Sequence, residues 1–516
     1  MKKNNTDKKG EIKSTKDSVA GKEKLSESSE VKAKTNKETS MKTIAKRSDD
    51  YAQWYQDIIE CGDLAEHSVV RGCMVIKPYG YAIWEKIVSV VDSKLKKAGA
   101  KNAYFPIFIP KSFLEREAEH VKGFSPELAV VTHGGGKELE EPLIVRPTSE
   151  TIICDSFSRW IQSYRDLPMI INQWANVVRW EMRPRLFLRT TEFLWQEGHS
   201  AHASLQEAEE YSLKILNEVY APFAQEYMAM PVYTGQKSDS ERFAGALKTF
   251  CIEALMQDGK SLQAGTSHNL SDNFSKSFGI KFLDKDGQTK NVFQTSWGVS
   301  TRLIGGLIMT HSDDKGLVLP PRIAPIQVVI IPIMKSDDAV ILQAAKSIAE
   351  NLSGISVEID SRDNLRPGEK YYQWEKKGVP IRLEIGPRDL ESGVVILARR
   401  DTGAKETCPI AQVQERVNGL LQEIQADLFK AALKRRDDSN KTADSWKDFE
   451  QAISKGGYVF VHFCGGADCE AEIKQKTKTV SRFLPFDGKE EPGEHKCIHC
   501  GKKVAGKKRW AFALAY

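Results

Sequence analysis

Between Val177 and His202 the chain reads VVRWEMRPRLFLRTTEFLWQEGHSAH, where alternate positions carry an arginine, carboxylates, aromatic rings and an imidazole. Side chains two apart in an extended strand share a face. Arg179 and Glu181 then point one way on an outgoing strand, while Thr191, Phe193, Trp195, Glu197 and His199 share a face of the return strand. Runs rich in aromatic and β-branched residues flank a short basic turn, Met182 to Leu186, with Pro184 at its centre, which predicts a long antiparallel hairpin. An arginine on such a face clamps a carboxylate or phosphate through two parallel hydrogen bonds. Rings and carboxylates beside it suit a small, charged, partly apolar ligand. Spacing alone separates sheets from helices and not sites from surfaces, so a solvated hairpin with ordinary cross-strand pairs fits it equally.

Three further stretches carry chemistry. Leu143 to Val145 lead into Arg146-Pro147-Thr148-Ser149-Glu150-Thr151, which reads as a helix start with Thr148 or Ser149 capping and Glu150 in the first turn. A carboxylate and hydroxyl exposed there also accept hydrogen bonds from a substrate ammonium. Ser261 to Asn269 is a polar, glycine-bearing strand, too polar to fill a core comfortably. Phe293 to Gly298 is a strand running into a helix, with Arg302 near the helix start and Gly305-Gly306 allowing close packing on a sheet. The run Gly134-Gly135-Gly136 lacks the lysine and hydroxyl of a phosphate loop and reads as a hairpin turn.

Near the end stand Cys464-x4-Cys469 and Cys497-x2-Cys500. Two close pairs of thiols suit a tetrahedral Zn²⁺, and four protein ligands leave no open position, so the expected role is structural. His462, His495 and His499 stand by as alternative ligands. Cys61, Cys73, Cys154, Cys251 and Cys408 are scattered singly, which points to a reducing, cytoplasmic compartment.

The elements that must position these residues follow from the pattern. The 516 residues allow several domains, with 41% apolar and 28% charged residues and a net charge of +5, which permits RNA binding without requiring it. No apolar run approaches the roughly 18 residues of a membrane span. Residues 1–48 form a Lys-rich tail without the apolar core of a secretory signal, expected to be disordered. Asp50 is placed to cap a helix through Cys61; a second helix spans Tyr79 to Lys97 and stops at Gly99, before the extended AYFPIFIP. Gln206 to Met230 alternates as an amphipathic helix. After the stiff junction Pro320 to Pro325, strands and helices alternate through Leu397, which implies a small α/β domain, and Gln412 to Arg436 reads as a charged helix.

Arg179-Trp180-Glu181 with its basic loop and return strand resembles motif 2 of the class II aminoacyl-tRNA synthetases. The helix before AYFPIFIP, with Pro106, resembles their motif 1, which builds a dimer interface, and the helix start at Arg302 resembles motif 3. RPTSE, RWE, FLWQEGHSAH, QAGTSHN and QTSWG together resemble the prolyl-tRNA synthetases of archaeal and eukaryotic cytosolic type, over essentially all of Tyr51 to Tyr516. That resemblance implies an α+β catalytic domain on an antiparallel sheet (49–320), an α/β anticodon-binding domain (321–430) and a small C-terminal zinc-binding domain (431–516). It implies Thr148 and Glu150 on the proline ammonium, with Phe193, Trp195, His199, His268 and Ser296 around the ring and Phe124 nearby. Arg179 would hold the substrate carboxylate and α-phosphate, and Glu181 the adenine. Gln263, Thr266 and Ser300 would complete the nucleotide contacts, and Arg302 would grip the γ-phosphate. Lys370, Glu384, Arg388 and Arg399 are its candidate tRNA anticodon contacts. The implied partners are ATP with Mg²⁺, L-proline, tRNA(Pro) and a second copy of the chain, with no membrane. Gln294 stands where an acidic metal ligand was sought, so the Mg²⁺ ligands stay unassigned. Only about 85 residues (roughly 205 to 290) separate motifs 2 and 3, too few for an editing insert of typical domain size, which implies a separate trans-editing protein. Two other readings stay open: another class II synthetase, such as threonyl or glycyl, and a non-enzymatic synthetase-like regulator.

Overall fold

A long mixed sheet organises the chain in the computed structural model, which describes residues 43–115, 128–334 and 339–516. In chain order its strands are β1 (Lys101–Asn102), β2 (Met169–Val178), β3 (Glu192–His202), β4 (Val232–Gln236), β5 (Lys248–Leu255), β6 (Ser261–Ser271) and β7 (Phe293–Ser300). They lie in the spatial order β4-β5-β6-β7-β3-β2-β1, antiparallel except for the β1–β2 edge. Phe124 and residues 1–42 of the Lys-rich tail lie outside the described residues.

The helices behind this sheet follow the periodicity of their sequences. In α1 (Tyr51–Cys61) the Asp50 carboxylate accepts from the N–H groups of Ala52 and Gln53 at 3.0 and 2.9 Å, and Trp54, Tyr55, Ile58 and Ile59 are buried. The packed body begins earlier than Asp49, since Ile44 is buried against this cluster. α2 (Pro78–Lys97) opens with proline at its first turn and closes before Gly99, whose φ of +97° is cheap only for glycine. α3 (Glu150–Trp160) packs Ile153 and Phe157 under the opposite end of the sheet.

The helix expected without interruption to Met230 is instead α4 (Leu205–Lys214) continued by widened π-type turns over Ile215–Tyr220 and Phe223–Tyr227. Pro222 has no N–H for the ladder, and the widened turns keep Ile215, Leu216, Val219, Tyr220, Phe223 and Ala224 in the core. α5 (Arg302–His311) lies against the sheet because Gly305 and Gly306 leave room. A Cβ at Gly305 would meet Leu188 Cδ2 at 2.5 Å, and one at Gly306 would meet Leu262 Cδ2 at 2.8 Å. The glycine run is a turn, with Gly135 and Gly136 at φ +59° and +78° joining strands Ala129–Gly134 and Lys137–Val145. Only Phe108–Pro110 of AYFPIFIP is paired, on the other edge of that small sheet.

The α/β unit is built on β8 (Val328–Pro332), β9 (Val357–Ile359), β10 (Ile381–Ile385), β11 (Val394–Arg399) and β12 (Lys405–Pro409), in the order β9-β8-β10-β11-β12. β9, β8 and β10 are parallel, whereas β11 and β12 run antiparallel. α6 (Ala339–Asn351), α7 (Pro367–Lys376) and α8 (Val413–Asp438) cover it. Its core gathers Val328, Ile330, Ile341, Leu383, Val395, Val417 and Leu420. β12 is an element that the sequence pattern does not announce.

The last segment does not stand on a sheet of its own. β13 (Lys441–Thr442), β14 (Val459–Val461), β15 (Val480–Pro485) and β16 (Trp510–Ala513) extend the main sheet as β13-β14-β16-β15-β4. The seam pairs Leu484 with Gln236 and Pro485 with Gly235, where any Cβ would meet the Leu484 carbonyl oxygen at 2.5 Å. A buried ion cluster sits beside the seam. Glu253 accepts from Lys237 Nζ at 2.6 Å, from Arg482 Nη2 at 2.8 and 3.0 Å, and from Ser261 Oγ at 2.6 Å. α9 (Ala467–Thr477) packs outside this extension.

Candidate active site

Register across the sheet assembles the site. Thr249 on β5 pairs with His268 on β6, His268 with Ser296 on β7, and Ser296 with His199 on β3. The next row places Thr266, Gly298 and Glu197 side by side, and beyond it Ser300 faces Trp195. Side chains in these rows share one face, and that face floors a cavity of about 230 Å³. Its lining includes Thr148, Glu150, Arg179, Phe193, Trp195, His199, Gln263, Thr266, His268, Ser296, Ser300 and Arg302. Twelve of the thirteen residues expected there on sequence grounds are thus brought together.

Arg179 reaches the site differently from the expectation. β2 ends at Val178, so Arg179 and Glu181 lie in the connection and not on a shared strand face. The ladder continues one step, Arg179 N–H donating to the Thr191 carbonyl at 2.8 Å. Its guanidinium lies 5.5 and 5.4 Å from the rings of Phe193 and Trp195, and its Nε donates to the Pro147 carbonyl at 2.9 Å. Weak hydration of a guanidinium makes this stacking favourable. Glu181, the thirteenth residue, faces an adjoining cavity of about 140 Å³ that shares Arg179, Phe193, Ser300 and Arg302. It is paired there with Arg189 at 3.0 Å. The turn is longer than Met182–Leu186, and a bridge joins Arg185 to Arg189 with Phe187 at φ +61°.

Arg302 is the first residue of α5, and its Nε donates to the Leu188 carbonyl at 3.1 Å. Among the described residues no carboxylate lies within ion-pair distance of it. Burial, followed by the cations Arg179 and Arg189, holds it down at about 10, so it stays charged at neutral pH. A half-buried cation so placed favours an anionic ligand.

Glu150 opens α3 almost fully buried, and its carboxylate accepts from the Thr148 hydroxyl. Ser149 stands at the N-cap position but does not cap: its hydroxyl donates instead to Glu197 Oε1 at 2.5 Å. That carboxylate also accepts from Gln173 Nε2 at 2.6 Å and meets His199 Nε2 at 3.1 Å. Burial opposes charge on Glu197, but His199, Ser149 and Gln173 together hold its carboxyl below the usual range. Burial likewise opposes charge on His199, yet Glu197 and Glu150 raise it. His268 is pushed down to about 4, first by burial, so it is the neutral imidazole of the pair. Its Nδ1 meets Thr249 Oγ1 at 3.0 Å. Ser296 Oγ and Trp195 Nε1 are buried with no partner among the described residues. Unpaired buried donors on residues that line a cavity fit a ligand that completes them.

Sequence reasoning missed Glu241, Arg242, Phe243 and Thr249 in the lining and gave Glu197 no role. The signal for the first three was faint: a charged run, KSDSERF, just before a strand. Gln294 lies buried away from the cavity, its Nε2 donating to Cys154 Sγ at 3.3 Å.

The candidate tRNA contacts are distributed otherwise. Lys370 is buried, donating to the Asp360 carbonyl at 3.0 Å. Glu384 is buried between Arg382 and Lys405 at 2.9 and 3.0 Å. Arg399 is held by Asp401 and Asp427, both at 2.7 Å. These three charges are engaged inside the α/β unit, whereas Arg388 is exposed.

Cys464, Cys469, Cys497 and Cys500 converge, with all four sulfurs within 4.8 Å of one another. Cys469 and Cys497 are 3.6 Å apart, and Cys464 and Cys500 3.8 Å. Sulfurs bound about 2.3 Å from a tetrahedral zinc stand ~3.8 Å apart, so the quartet fits that ion. His499 Nδ1 lies 3.5 Å from Cys469 Sγ. No helix among the described residues is long and apolar enough to cross a membrane.

Known proteins match this chain segment by segment. Residues 131–311 match the tRNA synthetase class II core domain (G, H, P, S and T), 327–420 the anticodon binding domain, and 446–516 the prolyl-tRNA synthetase C-terminal family. The chain is 55% identical over 483 residues to the proline--tRNA ligase of Chlorobium chlorochromatii, covering 92% of this chain and 99% of the relative. It is 55% identical over 494 residues to that of Porphyromonas gingivalis and 54% over 498 to that of Bacteroides fragilis, with the same coverage. These relatives are bacterial, whereas the resemblance pointed to the archaeal and eukaryotic type. The chain belongs to the proline--tRNA ligase family of class II aminoacyl-tRNA synthetases.

Proposed function

We propose that this chain attaches L-proline to tRNA(Pro) in two steps, forming prolyl-adenylate from ATP with release of pyrophosphate and then passing the prolyl group to the tRNA 3′ end. The observation that carries this reading is the convergence of Arg179, Arg302 and the Glu150 carboxylate on one cavity. Glu150 and Thr148 take the proline ammonium. Phe193, Trp195, His199, His268 and Ser296 surround the ring, since a five-membered ring wants flat apolar walls. Arg179 draws the substrate carboxylate and the α-phosphate together. Glu181, Gln263, Thr266 and Ser300 complete the nucleotide site, and Arg302 takes the γ-phosphate.

Two anions must meet in the first step. The proline carboxylate forms a bond to the α-phosphorus as the bond to pyrophosphate breaks, so catalysis rests on positioning and charge neutralisation. The nucleophile is already ionised and needs no general base. Mg²⁺ accompanying the nucleotide supplies further neutralisation. The geometry gives it no ligand set, because the described clusters of three or more metal-ligating side chains both lie in the C-terminal segment. ATP–pyrophosphate exchange with each amino acid tests the reading: proline supports exchange, and activity with threonine or glycine alone overturns it.

The same reading extends to architecture. Residues 49–320 are the catalytic domain, 321–430 dock the anticodon with Arg388 exposed toward it, and 431–516 hold a structural Zn²⁺. The span between motifs 2 and 3 holds α4, β4, β5 and β6, a short helix Asn273–Phe278 and the paired strands Lys281–Leu283 and Thr289–Asn291, with Ile215, Phe250, Leu262 and Phe274 buried in the core. This supports the insertion-free architecture of the archaeal and eukaryotic type, with clearance of mischarged alanine left to a separate protein. A homodimer in the cytoplasm completes the proposal.

A further inference from the structure

The stretch Ser238 to Phe243 walls the cavity through Glu241, Arg242 and Phe243, yet it belongs to no helix or strand. Its far end is fixed inside the site. Phe243 N–H donates to Thr249 Oγ1 at 2.9 Å, and the Phe243 ring lies 4.7 Å from that of His268. Its near end is tied to the C-terminal segment mainly through one carboxylate, beside a Ser481 Oγ to Ser238 Oγ contact at 3.0 Å and a long Lys474–Glu241 pair at 4.0 Å. Glu470, on α9 next to Cys469, is only 3% exposed. Its Oε2 accepts from Ser238 Oγ at 2.9 Å and from Ser240 Oγ. Its Oε1 accepts from the Ser481 N–H at 3.1 Å and from Ser481 Oγ. Among the described residues no cation lies within ion-pair distance of it. A carboxylate is costly to bury without a cation, and an apolar residue would serve packing alone. Four donors directed at its two oxygens give it a specific task, which is to tie the loop to α9 and β15 by charge-assisted hydrogen bonds.

We propose that Glu470 is a positioning residue for the amino-acid pocket: held on the C-terminal segment, it sets the place of the 238–243 loop and thereby the affinity for proline. This rests on reading the cavity as the proline site. Steady-state ATP–pyrophosphate exchange is compared for the intact chain and for Glu470→Ala, Glu470→Gln, Ser240→Ala and Trp195→Ala, with metal content and Tm measured on each. Losing charge-assisted bonds of this kind raises the proline KM by about tenfold in Glu470→Ala and about threefold in Ser240→Ala. The KM for ATP, kcat and metal content stay near those of the unaltered chain. Glu470→Gln, which keeps an acceptor oxygen, falls between.

The inference is overturned if the proline KM of Glu470→Ala stays unchanged, or rises only together with that for ATP or with loss of metal. Should Glu470→Ala fail to fold, Ser240→Ala decides, because that side chain is on the exposed loop and outside the cysteine cluster; an unchanged proline KM there overturns it. Trp195→Ala separates the two levels. If it raises the proline KM while the Glu470 and Ser240 variants do not, the positioning role alone falls. If it too leaves that KM unchanged, the pocket reading falls with it.

Discussion

Glu197 Oε2 and His199 Nε2 stand 3.1 Å apart, two residues from each other on β3 and both buried in the cavity wall. The pair is not alone: Ser149 and Gln173 fix the carboxylate from behind, and Glu150 adds its field to the imidazole. A lowered carboxyl stabilises the fold above its unfolded value near pH 4.5 and loses that effect as pH falls through its folded value. A raised imidazole stabilises below about 6.5 and loses the effect as pH rises through its folded value.

The stability gap between the unaltered chain and Glu197→Gln is therefore largest from about pH 4.5 to 6.5 and narrows on either side. Tm measured as a function of pH in both proteins checks this; a gap that keeps widening above pH 8 contradicts the pairing.

Arg302→Ala lowers ATP–pyrophosphate exchange by about 10³-fold, the scale of removing one preorganised donor from a developing anion. Arg302→Lys recovers only part, because an ammonium does not reproduce the guanidinium fork. Arg179→Ala falls by several orders of magnitude. Near-normal exchange in either alanine variant refutes the phosphate roles.

His311 ends α5 half-buried, with Nε2 2.8 Å from the Met228 carbonyl, and desolvation pushes it down to about 4. The unfolded chain takes up that proton first as pH drops below about 6.5, so stability falls from there to pH 4 by about 3 kcal/mol for this group. His311→Gln keeps a donor but does not titrate, and it flattens the acid limb of a denaturant-melt series.

Metal analysis is expected to find about one Zn²⁺ per chain on the four clustered thiols. Cys464→Ser lowers the metal content, and strong chelators lower Tm, because Cys469 and Cys497 are part of the core that also holds Phe449, Ile473 and Phe512. Metal analysis before and after chelation is the check.

Glu253→Gln leaves Lys237 and Arg482 buried without their counter-charge, which costs about 3–5 kcal/mol. Denaturant unfolding measures it directly.

Much of this was legible beforehand because strand alternation is a local signal. Phe193, Trp195 and His199, and likewise His268 and Ser296, could be put on one face from spacing and motif together, and pairing registers then brought the strands side by side. Arg179 shows the limit: alternation put it on a strand, but the strand stops one residue earlier. Ser149 has the type of a cap, yet a buried carboxylate across the sheet takes its hydroxyl. Lys370, Glu384 and Arg399 read as candidate tRNA contacts because a sequence does not display partners such as Asp360, Arg382 and Asp427. The 238–243 loop has no period to read, and β13 to β16 are too short or too ordinary to announce that they prolong the main sheet.

That prolongation sets an order on synthesis. β16, made from Trp510–Ala513, lies between β14 and β15. Until the ribosome has released those four residues, the gap between two older strands stays open and β15 offers an unpaired edge to any passing chain. A product stopped short of Trp510 would leave β14 and β15 without the strand they share, two open edges prone to aggregation, even though every cavity residue is already present.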